Sequence, residues 1–179
     1  LPQPARRLDN DFSRIFAGEL LLEVNTLNVD AASFRQMEAG ASSVKEGGSS
    51  TKADDEPDDV ALRRVTEGVL ATVASRGKQH NPVTGSGGML LGRVLQVSPD
   101  RPDARSLTVG QRVATLVSLS LTPLRIDRVL AVRRISAQLD VEGEAVLFAS
   151  GAYAKMPDDI PDRLALAVLD VAGAAPQVA

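Results

Sequence analysis

A polar stretch in the second half of the chain carries side chains suited to holding a small charged molecule. Arg125 is a candidate for binding a substrate carboxylate, because a planar guanidinium donates two parallel hydrogen bonds to that group. The structural alternative for this arginine is an ion pair with Asp127. Ser118, Ser120 and Thr122 alternate with leucines and are predicted to share one face of an extended segment. That face either lines a cleft or faces solvent.

His80 is the single histidine of the chain, and histidine titrates nearest to neutral pH, which makes it a candidate acid or base. Its position beside Asn81 and Pro82, ahead of a flexible loop, is more typical of a turn residue. The loop over residues 85–88 is Gly-rich, but it has neither the G-x-G-x-x-G nor the P-loop spacing and it precedes a strand. It is therefore not interpreted as a phosphate-binding loop.

The composition excludes several kinds of site. The 179 residues include no cysteine, which excludes disulfides, thiolate nucleophiles and thiolate zinc sites. The net charge of −3 and the 3% of aromatic residues argue against a nucleic-acid partner. No apolar run reaches the roughly 18 residues that span a bilayer, so no membrane partner is expected. The polar start predicts a cytoplasmic protein, and the first residue, Leu1, predicts a fragment of a longer one.

The hydrophobic pattern predicts a mainly β domain with flanking helices. A β-prone run ends at residue 30, and a short helix is predicted over residues 31–37. Residues 38–59 predict a flexible acidic insertion, and helical spacing then predicts a helix over residues 60–76. Further strands are predicted at residues 89–97, within 107–116, and at 129–135, 139–141 and 145–148. Their close spacing predicts a compact β-barrel, after which residues 157–162 predict a helix start.

Several of these phrases resemble, in order and spacing, the catalytic half of medium-chain dehydrogenases. They are Asn28-Val29-Asp30, the strand that contains Gly92, Val109-Gly110-Gln111-Arg112-Val113 and Gly151-Ala152-Tyr153-Ala154. The family usually has Asp at the place of Gln111. The resemblance implies that residues 1–179 form a GroES-like barrel, with residues 164–179 starting the connection to a Rossmann domain that this chain lacks.

Longer strings resemble the L-erythro-3,5-diaminohexanoate dehydrogenase family within that class. They are residues 1–5, 80–91, 116–127 and 153–175. This resemblance implies NAD-dependent oxidative deamination of 3,5-diaminohexanoate to 5-amino-3-oxohexanoate and ammonia, in lysine degradation. NAD or NADP would be bound mainly by the missing Rossmann domain, which also sets the choice between them. The full-length protein is expected to be a homodimer, and the fragment alone is expected to be inactive.

No metal is expected at the site that zinc members of the class use. Their first ligand sits at the place of Asn28, and their Gly-His-Glu triplet corresponds to Gly87-Gly88-Met89 here. Asn and Gly cannot replace thiolate and imidazole ligands. Gly87 and Gly88 are assigned instead to cofactor binding, as glycines that let the nicotinamide end approach, with a simple turn as the alternative.

Asp30 and Asp170 are the predicted catalytic residues. A base must take a proton from the substrate ammonium so that the neutral amine can release hydride. The resemblance places Asp30 where zinc members have the hydroxyl of their proton relay, and Asp170 near the cleft floor. A helix cap is the alternative for Asp30, whereas Asp170 lies in an apolar segment in which a buried carboxylate needs a partner. The substrate-binding candidates are Asn28, Arg125, Ser118 and Ser120.

Two other functions are compatible with the sequence. A zinc-free quinone- or enone-reductase-like member of the class would share the fold but would not need paired carboxylates in its cleft. A non-catalytic GroES-like module would form a closed oligomer with a mobile apolar loop, and the acidic, Ser-rich residues 38–59 are unlike such a loop.

Overall fold

In a computed structural model of the chain, which describes residues 5–40, 58–81, 85–157 and 159–172, an antiparallel sheet is flanked by helices. The strands are β1 (Leu20–Asn28), β2 (Met89–Val97), β3 (Arg112–Thr115), β4 (Leu124–Arg133), β5 (Gln138–Leu147) and β6 (Tyr153–Lys155). The helices are α1 (Ala31–Ala39), α2 (Asp58–Arg76) and α3 (Asp162–Ala172). The predicted class, mainly β with flanking helices, is confirmed.

The six strands lie in the order β4-β5-β1-β2-β3-β6, and every neighbouring pair is antiparallel. The strand β1 therefore lies inside the sheet, between β2 and β5. The predicted barrel is not closed by strand pairing, because in the part of the chain that the structure describes β4 and β6 are sheet edges. Short strands close into a barrel only when the two edges come into register, which local spacing does not determine.

The core follows from the alternation of side chains along the inner strands. Leu22 and Val24 of β1 are fully buried in the main core, whereas Glu23 between them is exposed, as the period of a strand requires. The strand β2 is apolar on both faces. Leu90 packs into the main core, and Leu91 packs into a second, smaller core under α3.

The helix predicted over residues 60–76 is confirmed as α2. Its residues Val65, Val69 and Val73 recur at i, i+4 and i+8 and are buried in the main core, which is the expected stripe of an amphipathic helix. Gly68 lies where α1 crosses α2, because a Cβ there would be 2.8 Å from the Sδ atom of Met37. The absence of a side chain at this position lets the two helices pack closely.

The extents predicted for strands at residues 129–135, 139–141 and 145–148 were wrong. The structure has two long strands, β4 and β5, paired along their length. Gly143 does not interrupt β5. A Cβ at this position would lie 2.2 Å from the carbonyl oxygen of Arg125 on β4, so this glycine allows a close approach of two strands. For Gly92, a glycine inside a strand predicts either a bulge or a close backbone approach; the structure shows the close approach, since a Cβ there would lie 2.1 Å from the Glu23 carbonyl oxygen.

Two predicted segments are only partly described. Of the acidic insertion predicted over residues 38–59, the structure describes residues 38–40 and 58–59, and residues 41–57 lie outside the described part. The connection predicted over residues 164–179 is helical as far as Ala172, where α3 ends, and residues 173–179 are likewise outside it. Among the helices that are described, none is both long and apolar enough to cross a membrane.

A buried arginine joins the start of β1 to the end of β5. Arg101 is 3% exposed, and its Nη1 atom donates to the carbonyl oxygens of Gly18 at 3.1 Å and Leu147 at 3.0 Å. Its Nε atom lies 2.7 Å from Asp103 Oδ1, and the Tyr153 hydroxyl donates to Asp103 Oδ2 at 2.6 Å. Burial and this hydrogen bond raise the pKa of Tyr153, so the phenol remains a donor that ties β6 to the network.

We expect Arg101→Met to lower the free energy of unfolding of the full-length protein by about 3 kcal/mol, because it removes the positive charge beside Asp103 and leaves buried carbonyl groups without their donor. Urea unfolding measures this change. Arg105→Met is the control, because Arg105 is a nearby exposed arginine and its loss should have little effect. Equal unfolding midpoints for the two variants would show that Arg101 does not hold the strands together.

Candidate functional site

Asn28, the last residue of β1, lies where several of the predicted site residues meet. It is buried, and its Oδ1 atom accepts a hydrogen bond from Gln138 Nε2 at 3.2 Å. In the sheet it pairs with Met89 of β2 on one side and with Gln138 of β5 on the other. Among the described residues, no three His, Cys, Asp or Glu side chains are grouped as metal ligands.

Gly87 and Gly88 are packed against the chain's own backbone. Gly88 has a φ of +87°, and a Cβ there would lie 1.9 Å from the carbonyl oxygen of Asn28. A Cβ at Gly87 would lie 2.4 Å from the Ser120 nitrogen and 2.5 Å from the Gln79 carbonyl oxygen. Both positions therefore require glycine whether or not a cofactor binds, and the cofactor-binding role predicted for them stays a prediction.

The extended conformation predicted for residues 118–122 was wrong. Residues 119–121 form one turn of 3₁₀ helix, and the Ser118 hydroxyl caps it by accepting from the Ser120 nitrogen at 3.2 Å. The Ser118 and Ser120 hydroxyls are 2.9 Å apart, and Thr122 Oγ1 donates to the Ser118 carbonyl oxygen at 3.1 Å. Hydroxyl side chains compete with strand pairing by bonding to nearby backbone, and here they also bond to each other.

Asp30 caps the N-terminus of α1, the alternative that the sequence left open. Its Oδ1 atom accepts from the Ser33 nitrogen at 3.0 Å, and its Oδ2 atom accepts a short hydrogen bond from the Ser33 hydroxyl. Asp30 lies two residues beyond Asn28 and is only partly buried, so its predicted role as a base stays a prediction.

Asp170 lies in α3, and its side chain is outside the described part of the structure. The burial that the sequence predicts for Asp170, in a mostly apolar segment, therefore stays a prediction. Leu166 of the same helix is fully buried, but Val168 is 55% exposed. One face of α3 covers the second core and another is open.

Arg125 forms ion pairs on β4 rather than lying beside Asn28. Its Nη2 atom is 2.7 Å from Glu144 Oε2, and its Nε atom is 3.2 Å from Asp127 Oδ1. The contact with Asp127 is the ion pair predicted as the structural alternative for this arginine. In the sheet, Arg125 is paired with Glu144 of β5, which is in turn paired with Glu23 of β1. That residue precedes Asn28 by five positions, or roughly 16 Å at the rise of a strand.

A cleft of about 490 Å³ opens between α1, α2 and the segment that follows α2. The lining side chains that bear on its chemistry are Ser33, Gln36, Arg64, Glu67, Gln79 and His80. Asp30 adjoins the cleft, since its hydrogen-bond partner Ser33 forms part of the wall. Gln79 is 2% exposed, and its Oε1 atom has no hydrogen-bond partner in the described part of the chain.

His80 lines this cleft and is held in its neutral form. Its Nδ1 atom lies 3.2 Å from Arg76 Nη1. Burial, and then the positive charges of Lys78 and Arg76, lower the pKa of the imidazole. Lys78 itself is buried and donates to the carbonyl oxygen of Ala5. At neutral pH the histidine therefore adds hydrogen-bonding capacity to the cleft but no charge.

Arg64, Glu67 and Gln79 were not predicted from the sequence as candidate site residues. The cleft forms only when α1 packs on α2, and that contact is not visible in the hydrophobic pattern of either helix. One signal was present, because Arg64 and Glu67 are spaced i, i+3 and so share a face of α2. A pair of opposite charges on one face of a helix is also common on a solvent-exposed surface, so the spacing alone does not indicate a site.

Comparison with known proteins identifies relatives over the whole chain. The sequence profile of the family described as the L-erythro-3,5-diaminohexanoate dehydrogenase N-terminal domain matches residues 1–157. Two proteins named L-erythro-3,5-diaminohexanoate dehydrogenase are similar to this chain over 179 residues. The one from Fusobacterium nucleatum is 46% identical to the chain, and the one from Acetoanaerobium sticklandii is 45% identical. Each match covers 100% of this chain and 47% of the relative, so the chain spans about half the length of these relatives.

We expect Gly88→Ala to destabilise the full-length protein by about 3 kcal/mol or more, because the new Cβ collides with the Asn28 carbonyl oxygen and the backbone must shift. Gly85→Ala is the matched control, since Gly85 also has a positive φ, +75°, but its Cβ would meet nothing within 4 Å. Gly85→Ala should lower the free energy of unfolding by only about 1–2 kcal/mol, the cost of a left-handed backbone conformation at a residue with a Cβ. Chemical unfolding compares the two, and similar losses would contradict the close contact.

Proposed function

The chain belongs to the L-erythro-3,5-diaminohexanoate dehydrogenase N-terminal domain family, and from this premise we propose that the protein containing it oxidatively deaminates a 3,5-diaminohexanoate. A base would take a proton from the substrate ammonium, and a nicotinamide nucleotide, when bound, would accept the hydride of C3 from the neutral amine. Water then adds to the resulting imine, and ammonia leaves to give 5-amino-3-oxohexanoate. The observation that carries the proposal is the identity of 46% and 45% across all 179 residues.

We assign the open six-stranded sheet to the GroES-like catalytic half of a medium-chain dehydrogenase. Gly87 and Gly88 approach backbone atoms of the chain itself, so these two glycines alone do not make a dinucleotide site. Rossmann domains bind a dinucleotide where a parallel strand leads through a Gly-rich turn into a helix. The described part of this chain does not contain that arrangement. The nucleotide is therefore assigned to the part of the relatives' length that this chain does not span.

Asp30 is the catalytic base in this proposal. Two of its lone-pair positions are engaged by Ser33, which fixes the carboxylate, and a carboxylate has further positions free to accept a proton. Asp170 is retained as the second proposed carboxylate. Asn28, Ser118 and Ser120 are proposed to shape the substrate-facing end of β1. Arg125 has no place in the proposal, because Glu144 and Asp127 already bind it.

Incubating the full-length protein with 3,5-diaminohexanoate and NAD should produce reduced nucleotide and ammonia in equal amounts. Absorbance of the reduced nicotinamide and an ammonia assay measure both products, and NADP in place of NAD tests the preferred cofactor. We expect turnover to survive exhaustive chelation, because Asn28 and Gly88 offer no zinc ligand. Inactivity on the diamine, together with reduction of enones or quinones, would reject the deamination and favour a reductase of the same class.

Replacing Asp30 by Asn separates its two roles. Asn is as good an N-cap as Asp, so stability should change little, whereas loss of a general base should lower kcat by about 10²- to 10⁴-fold. Asp30→Ala is the companion variant and should also lose about 1 kcal/mol of stability with the cap. Steady-state kinetics and thermal unfolding give the two readouts. Full activity in Asp30→Asn would leave this residue with its capping role alone.

A further inference from the structure

We propose that the cleft between α1 and α2 binds the two non-reacting charged groups of the substrate, with Arg64 binding its carboxylate and Glu67 its distal ammonium. This inference rests on the proposed function. It assigns the ligand to α2, a helix that the candidate residues of the sequence did not include.

The size and lining of the cleft suit a small molecule that carries both signs of charge. Its volume of about 490 Å³ falls in the range of small-molecule sites, about 300–1,000 Å³. Arg64 and Glu67 belong to the same wall, and none of the ion pairs between described residues involves Glu67. A carboxylate in a cleft with no protein cation on it is a ready partner for an ammonium group.

Arg64 and Glu67 lie three positions apart on α2, so their side chains share one face of the helix. Arg64 Nη1 donates to the Glu38 carbonyl oxygen at 3.4 Å, and a guanidinium has five N–H donors in all. In 3,5-diaminohexanoate the carboxylate and the C5 ammonium flank C3, so a molecule bound at both ends would hold the reacting carbon between them.

The proposed base adjoins the wall that α1 forms. Ser33 of α1 lines the cleft and donates its hydroxyl hydrogen to Asp30. The base is therefore one hydrogen bond from the cleft wall. Gln79 also supports ligand binding in the cleft, because its buried Oε1 atom lacks a donor among the described residues. An unsatisfied buried carbonyl is costly, and a donor group of a ligand at this side of the cleft would offset that cost.

The test compares variants of the full-length protein at neighbouring positions of α2. Arg64→Gln and Glu67→Gln should each raise KM for the diamine by about tenfold or more, since each removes a charged hydrogen-bond partner. We expect kcat to change by less than about threefold and KM for the nucleotide to stay unchanged. Arg63→Gln is the matched control, because Arg63 is 66% exposed and pairs with Asp59. Arg64→Lys should recover part of the lost affinity.

A second substrate distinguishes binding from a structural effect. 3-Aminohexanoate lacks the distal ammonium, so its KM should be nearly the same in Glu67→Gln and in the unsubstituted protein. An unchanged diamine KM in both cleft variants, or an equal effect of Arg63→Gln, would overturn the cleft assignment and leave the proposed function intact. Absence of diamine turnover in the unsubstituted protein would overturn the function and this inference together.

Discussion

The contact between Gly88 and the Asn28 carbonyl oxygen fixes the geometry on which the candidate site depends. A Cβ at Gly88 would lie 1.9 Å from that oxygen, so the loop and the end of β1 meet without any intervening side chain. The adjacent Gly87 extends the same contact to the backbone of Ser120 and Gln79. One pair of glycines thereby brings together β1, the 3₁₀ turn at residues 119–121 and the segment after α2. Backbone packing therefore positions Gln79 in the cleft wall and the hydroxyl groups of Ser118 and Ser120.

Asp30 shows how a structural role and a chemical one can share a residue. As the N-cap of α1 it accepts two hydrogen bonds from Ser33, and these hold both carboxylate oxygens in place. A catalytic group benefits from such support, because its productive geometry must be held within a fraction of an ångström. Capping therefore fixes the position of the carboxylate that the proposed role requires.

The elements set by local pattern were predictable from the sequence, and those set by long-range contacts were not. The order β1, α1, α2 and β2 followed from the hydrophobic period of each segment, and a close strand approach was one of the two alternatives predicted for Gly92. Gly143 was misread as a break, because a glycine that admits a neighbouring strand looks the same in sequence as one that makes a turn. Residues 118–122 were misread because their alternation fits a strand, whereas their hydroxyls stabilise a turn. The cleft depended on the contact of Met37 with Gly68, which no single segment encodes.

The distribution of charge in the cleft explains why a ligand with both signs would be favoured there. His80 is kept neutral by burial and by Lys78 and Arg76, so the nearby imidazole does not compete with Arg64 for a carboxylate or with an ammonium for Glu67. A ligand that carries only an anion would leave Glu67 facing the cleft without a partner. Specificity of this kind comes from the group left unpaired by the wrong ligand as much as from the contacts made by the right one. The opposed charges of α2 would then select a zwitterionic chain, and the carboxylate on α1 would act on its centre.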